Sequence, residues 1–304
     1  GGFRARGEHG AWEASVSPKG FLESLSAGGR ELLASALVMN LWRAPTENDG
    51  LKLFMDKRGQ TDFSFYYENK AMYAWLDAGL EALEFGHPVS EIEPETGSLR
   101  IVHEVRTAKG GRAGRFVQEL SFRNSLIAAS FLFDLDPSLP ELPRVGLACA
   151  LAPGFEKARW YGRGPQECYV DRKAGAALGI WESSVDDLQV PYVLPQENGN
   201  RTDLRWLELY GAGASLRIEG GRSFDFGASH HGAEQLWKAA HTCDLVRLPE
   251  TFLTLDVAQR GVGTATCGPD TLERYRIAPG PMRLDLVFIP RAAEGLSSEP
   301  GAGA

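Results

Sequence analysis

A chain of 304 residues, 43% hydrophobic and 24% charged, can bury a substantial core, as one large β domain or two ordinary ones. Its net charge of -8 argues against nonspecific nucleic-acid binding, which needs clustered Lys and Arg to neutralise phosphates. The charge is compatible with a neutral substrate such as a sugar and does not select one.

Along the chain the first periodic segment is 71–83 (AMYAWLDAGLEAL), where Met72, Trp75, Leu76, Leu80 and Leu83 fall near helical spacing. Period two then takes over. Residues 98–105 read as a strand, and 115–122 (RFVQELSF) alternate with Phe116, Leu120 and Phe122 on one face and Val117 on the other. Asn124 is a turn residue before 125–133 (SLIAASFLF), a denser apolar run that predicts a strand buried on both faces. The Pro-rich stretch 135–143 reads as an inter-strand corner rather than a linker, because the strands on both sides need partners. Further strand-like runs lie at 145–151, 204–210, 215–218, 252–257 and 282–289, with two helical turns at 233–241. Residues 291–304 are small and polar, and predict a disordered tail after a domain spanning 1–290. Many short strands with turn residues between them predict an all-β sandwich or barrel.

Cys149, Cys168, Cys243 and Cys267 form no C-x-x-C pair, so neither a zinc site nor a disulfide scaffold is signalled; reduced thiols and a cytoplasmic location are expected. No apolar stretch reaches the roughly 20 residues of a membrane helix. The start, Gly-Gly-Phe-Arg, is neither a signal peptide nor an initiator Met, and predicts a fragment or processed product. No G-x-S-x-G, P-loop or H-E-x-x-H is present. Gly162 and Gly164 make a G-x-G with no helix start after it, which is weak evidence for a nucleotide.

The segment 160–206 is the most distinctive. It opens WYGRGPQECYVDR and continues to VPYVLPQENGNRTDLRW, interleaving Arg163, Arg172, Arg201 and Arg205 with Glu167, Asp171, Glu197 and Asp203. Such pairs serve equally to pin two long loops or, beside aromatic faces, to hold sugar hydroxyls. With LWRAPTENDG at 41–50 and LDVAQRGVGTATCGP at 255–269, these motifs fall in one order and resemble the last domain of bacterial family 2 β-galactosidases. The resemblance spans most of residues 10–290. It implies a large antiparallel super-sandwich resembling galactose mutarotase, within a parent enzyme that hydrolyses terminal β-D-galactosides with retention.

Retaining hydrolysis needs two carboxyl groups about 5–5.5 Å apart. In the family both belong to a (β/α)₈ barrel, and no alternating strand–helix pattern occurs here. The resemblance therefore implies no catalytic residue and no metal ligand on this chain, with magnesium and sodium expected only in the parent. The implied partners are upstream barrel domains or a large subunit, a β-galactoside, and further copies of the parent. The family's closing loop reaches the substrate, which nominates Thr266, Cys267 and Gly268. Where some members stack a Trp on the leaving group, this chain has Cys267, which offers no aromatic platform. Glu197, Arg201 and His241 are nominated as sugar contacts. His241 with Glu197 would be the acid–base pair if the chain were instead an independent aldose epimerase; a non-catalytic carbohydrate-binding module is the other alternative. His103, in a strand, and the adjacent His230 and His231 read as structural, the latter two on opposite faces of a strand.

Overall fold

The computed structural model describes residues 2–60, 70–93, 95–211 and 213–292. Its strands run in the order β1 (Phe3–Arg6), β2 (Trp12–Val16), β3 (Leu22–Ala27), β4 (Arg30–Glu31), β5 (Val38–Asn40), β6 (Leu83–Phe85), β7 (Val89–Ile92), β8 (Leu99–Thr107), β9 (Arg112–Arg123), β10 (Leu126–Leu135), β11 (Arg144–Leu151), β12 (Lys157–Gly164), β13 (Ala177–Ser184), β14 (Arg201–Gly211), β15 (Ala214–Ser229), β16 (Thr251–Gln259) and β17 (Pro281–Ala292). Short helices α1 (Ala71–Ala78), α2 (Val185–Leu188) and α3 (Ala233–Lys238) sit in the connections.

The sandwich arises where one sheet divides. From the edge strand β13 the order is β12, β14, β15. The first half of β15 pairs β17, from Ala214 opposite Ala292 to Gly220 opposite Leu286. Its second half pairs β16, from Asp225 opposite Asp256 to Ser229 opposite Phe252. One branch continues through β10, β9 and β8, the other through β11 to β5. Among the described residues the ladders on both branches are antiparallel. A four-stranded sheet, β1 to β4, is anchored by Phe3 and Trp12 against Phe122, and by Trp12 Nε1 donating to Asn124 O at 3.2 Å.

One buried apolar cluster joins the branches, including Phe116, Phe131 and Phe133 on one side and Leu147, Leu253 and Leu255 on the other. Each such side chain stabilises the fold by roughly 1.5–3 kcal/mol through removal from water. The all-β antiparallel reading of the sequence is what the structure has, and Asn124 does sit in the two-residue turn that closes the β9–β10 hairpin.

Several local readings need correction. β10 is buried on one face only: Ile127, Ala129, Phe131 and Phe133 point inward, and the intervening residues are half-exposed. Small Ala128 and Ser130 on the outer face made the run look denser than its burial. The helix ends at Ala78, because Gly79 takes a left-handed φ of 76° and its N–H returns to Leu76 O; Leu83 starts β6 instead. The second helical stretch stops at Lys238. The motif region read as two long loops opens in strand β12, and the strand read at 204–210 is present as β14, starting earlier at Arg201. Arg291 and Ala292 complete β17; the rest of the predicted tail, 293–304, lies outside the described residues. His230 and His231 follow the end of β15 rather than lying within a strand. His103 is a buried strand residue, stacked on Phe21 with ring centroids 4.5 Å apart.

Candidate functional site

The entry segment, 41–50, is pinned from within. Arg43 and Asp49 have no exposed side-chain surface and form a forked pair, Nη2 to Oδ1 at 2.8 Å and to Oδ2 at 2.9 Å. Asp49 also accepts from Thr46 N at 2.9 Å and from Arg260 Nη1 at 3.2 Å. Arg260 is equally buried and reaches Asp270 with both distances at 3.0 Å. Both guanidiniums lie over the Trp75 ring, at 5.7 and 5.9 Å. This network ties the entry segment to the start and end of the closing loop, 260–271.

Within the loop, Asn48 is a two-ended clamp. Its amide donates to Gly263 O at 2.9 Å, and its Oδ1 accepts from Thr266 N at 3.0 Å and Thr266 Oγ1 at 2.7 Å. Asp171, from the central motif, accepts from Val262 N at 3.0 Å and Gly263 N at 2.8 Å. Gly263 has φ of 61°, and a Cβ there would meet Thr271 Oγ1 at 2.5 Å, so the turn requires glycine. The result is a fixed loop that leaves Cys267 and Gly268 exposed, with Thr266 partly covered.

A third set supports the floor. Glu197 accepts from Arg144 at 3.0 Å and from Gln259 Nε2 at 3.2 Å, and Arg144 also meets Asp256 at 3.1 Å. One guanidinium thus faces two buried carboxyl groups. Burial pushes the Asp256 carboxyl up to about 8, partly offset by Arg144 and reinforced by Glu197. Glu167 accepts from Arg172, Tyr192 OH and, at 2.8 Å, Gly199 N.

These segments enclose a cavity of about 190 Å³ whose walls come from the entry segment (Asn48), the central motif (Tyr169, Arg172), the PQEN stretch (Glu197) and the closing loop (Thr266). The sequence motifs that lie far apart along the chain therefore meet at one place.

The predicted sugar contacts do not form one site. Arg201 is buried and donates from Nη1 to the backbone carbonyls of Leu188 and Gly199 and from Nη2 to that of Pro165; it pins loops. His241 is exposed, caps the Thr242–Asp244 turn and faces Asp244 at 3.6 Å. Glu197 is held in the floor by Arg144 and Gln259, so the two share no partner, and the acid–base pair required of an epimerase is not assembled. The histidine read as a catalytic acid is a turn cap. Thr266, Cys267 and Gly268 do lie together on the closing loop.

Sequence reasoning did not single out Asn48, Asp49 or Arg260. The available signal was slight: Asn48 is the one side chain of the entry motif that both donates and accepts through an amide. Among the described residues, Glu156, Asp186 and His230 place ligating atoms within 4.8 Å of one another. Arg247 already sits between the two carboxylates, at 2.6 and 3.1 Å, and supplies the positive charge there. All four cysteines are free thiols. No helix among the described residues is long and apolar enough to cross a membrane.

Comparison with known proteins fits this geometry. The chain is 30% identical to a β-galactosidase of Arthrobacter sp. (strain B7) over 79% of its own length and 25% of that protein. It is 32% identical to a β-galactosidase of Vibrio cholerae over 80% of its length and 23% of that protein. The chain thus spans about a quarter of the length of these curated relatives. Among solved structures, a galactose mutarotase-like protein from Lactobacillus casei superposes with a TM-score of 0.50 at 9% identity, over 96% of this chain and all of the other (100%). That likeness concerns the fold alone. The family described as β-galactosidase small chain matches residues 8–288, and this chain belongs to it.

Proposed function

We propose that this chain is the non-catalytic C-terminal part of a retaining β-galactosidase. It buttresses a catalytic barrel carried elsewhere in the parent and presents Thr266, Cys267 and Gly268 to the substrate site. The observation that carries this reading is the clamped closing loop. Arg43, Asp171 and Asn48 hold its backbone, Asp49 holds the Arg43 and Arg260 guanidiniums, and its tip is left uncovered. A loop fixed at its base and bare at its tip is suited to reach into a neighbouring site with little ordering cost. With Cys267 at the tip, the leaving group meets a small thiol rather than an aromatic plane.

The barrel would supply the two carboxyl groups, and magnesium and sodium would be held by residues outside this chain. The parent would assemble as a homo-oligomer acting on β-galactosides such as lactose. The test is reconstitution. The purified chain alone should not cleave a chromogenic β-galactoside, and adding the polypeptide that carries the barrel should restore turnover. Turnover by the chain alone, lost on Glu197→Gln, would overturn the proposal.

A further inference from the structure

A second cavity, of about 280 Å³, opens between β14, β15, β16 and residues 274–277. Among the described residues it shares no lining residue with the cavity where the motifs meet. Three observations bear on what it holds.

Gln259 lines it and is only 4% exposed. Its Nε2 must face Glu197, since the opposite amide orientation would set two oxygens against each other. Its Oε1 is then a buried acceptor with no partner among the described residues, which is costly unless something donates to it. Asp203 has φ of 61°, a left-handed conformation that costs a non-glycine residue about 1–2 kcal/mol, at a register shift in β14. That twist lets the Asp203 N–H meet Asp225 Oδ1 at 3.2 Å while its carboxylate takes Arg163 at 2.6 Å and Lys173 at 2.9 Å. Lys173 and Asp203 in the wall are thereby matched to each other, and Arg276 is matched by Glu141 and Asp270 outside it. That leaves Arg274, exposed at the rim over the Tyr275 ring, against the carboxyl of Asp225, so the cavity is close to balanced in charge. Ser223 stands exposed at its rim, and Tyr275 adds a ring.

We propose that this cavity is a binding site for a neutral monosaccharide, with ring hydroxyls taken by Asp203, Asp225, Lys173 and Gln259. Its volume is at the small end of ligand pockets, suited to one sugar ring rather than two. Each sugar hydroxyl both donates and accepts, and the wall offers carboxylate and amide acceptors beside ammonium and hydroxyl donors. Desolvation pushes the Asp225 carboxyl up to about 7, so near neutrality it can serve as either donor or acceptor. The site is independent of the loop role proposed above.

The 304-residue chain should be titrated with D-galactose and D-glucose by calorimetry and ligand-observed NMR, with thermal melts confirming that each variant is folded. Saturable binding in the millimolar range is expected. Ser223→Trp, which fills the mouth, and Lys173→Met should each weaken it at least about tenfold, and Asn48→Ala at the other cavity should leave it unchanged. If Lys173→Met perturbs the fold by releasing Asp203, the rim substitution decides. The proposal is overturned if wild type shows no saturation by about 100 mM of either sugar. It is equally overturned if binding survives Ser223→Trp. Neither result touches the reconstitution experiment.

Discussion

Replacing Asp49 by Ala should be among the most damaging single changes in this chain. Asp49 is fully buried and, among the described residues, is the only carboxylate that Arg43 meets; its other bonds go to the backbone carbonyls of Arg260 and Gly261. Arg260 would keep Asp270 and Glu141. The substitution therefore strands one guanidinium, not two. Removing one partner of a buried pair costs about 3–5 kcal/mol, because the remaining charge stays out of water. Arg43→Met with Asp49→Leu removes the stranded charge and should recover part of that loss, even though each residue is changed. The assay is urea unfolding followed by tryptophan fluorescence, since Trp75 lies against both arginines. The control is Glu13→Ala, which breaks an exposed pair with Arg6 and should cost less than about 1 kcal/mol. If Asp49→Ala lowers stability no more than Glu13→Ala, the buried network is not what holds the entry segment to the closing loop.

Asn48→Ala removes three hydrogen bonds to the closing loop, each worth about 0.5–1.5 kcal/mol. Limited proteolysis should then cut within 260–271 faster while the global unfolding midpoint moves little. Asp256 holds a proton in the folded chain up to about pH 8, whereas its ordinary value is 3.8. Between those limits this carboxyl binds more proton in the folded chain than in the unfolded one, so its contribution to stability falls as pH rises through this window and is constant above it. Asp256→Asn should flatten that slope, read as the urea midpoint at pH 6 against pH 8, leaving a smaller slope of the same sign from Asp225; above about pH 8, Lys52, pushed down to about 8 by burial, adds a slope of the opposite sign. A thiol reagent should modify the exposed Cys243 and Cys267 quickly; Cys149, buried and pushed up to about 12 by desolvation, should react only on unfolding.

The class of fold was legible because burial in a sheet repeats every two residues, as it does along β10, and the sequence of 115–122 largely alternates even though Val117 on its second face is buried too. Local signals also fixed the β9–β10 turn at Asn124. They would have ended α1 at Gly79, had the left-handed cap been weighed against the apolar spacing beyond it. The short strands β1 to β5 escaped notice because strands of two to six residues carry too few alternations to stand out.

The site was legible only in part. Its motifs could be recognised, and their order along the chain points to a family. Which residues act together could not be read, because contact partners such as Arg43 and Arg260, or Asn48 and Thr266, are separated by more than 200 positions. The sequence by itself determined an antiparallel β protein with motif-bearing loops. Only the tertiary structure decided that Arg201 and His241 serve loops and a turn, that Glu197 lies in a buried floor, and that the closing loop is clamped at its base. The reason is physical: periodicity is a property of neighbours along the chain, whereas a buried charge is defined by what surrounds it in space.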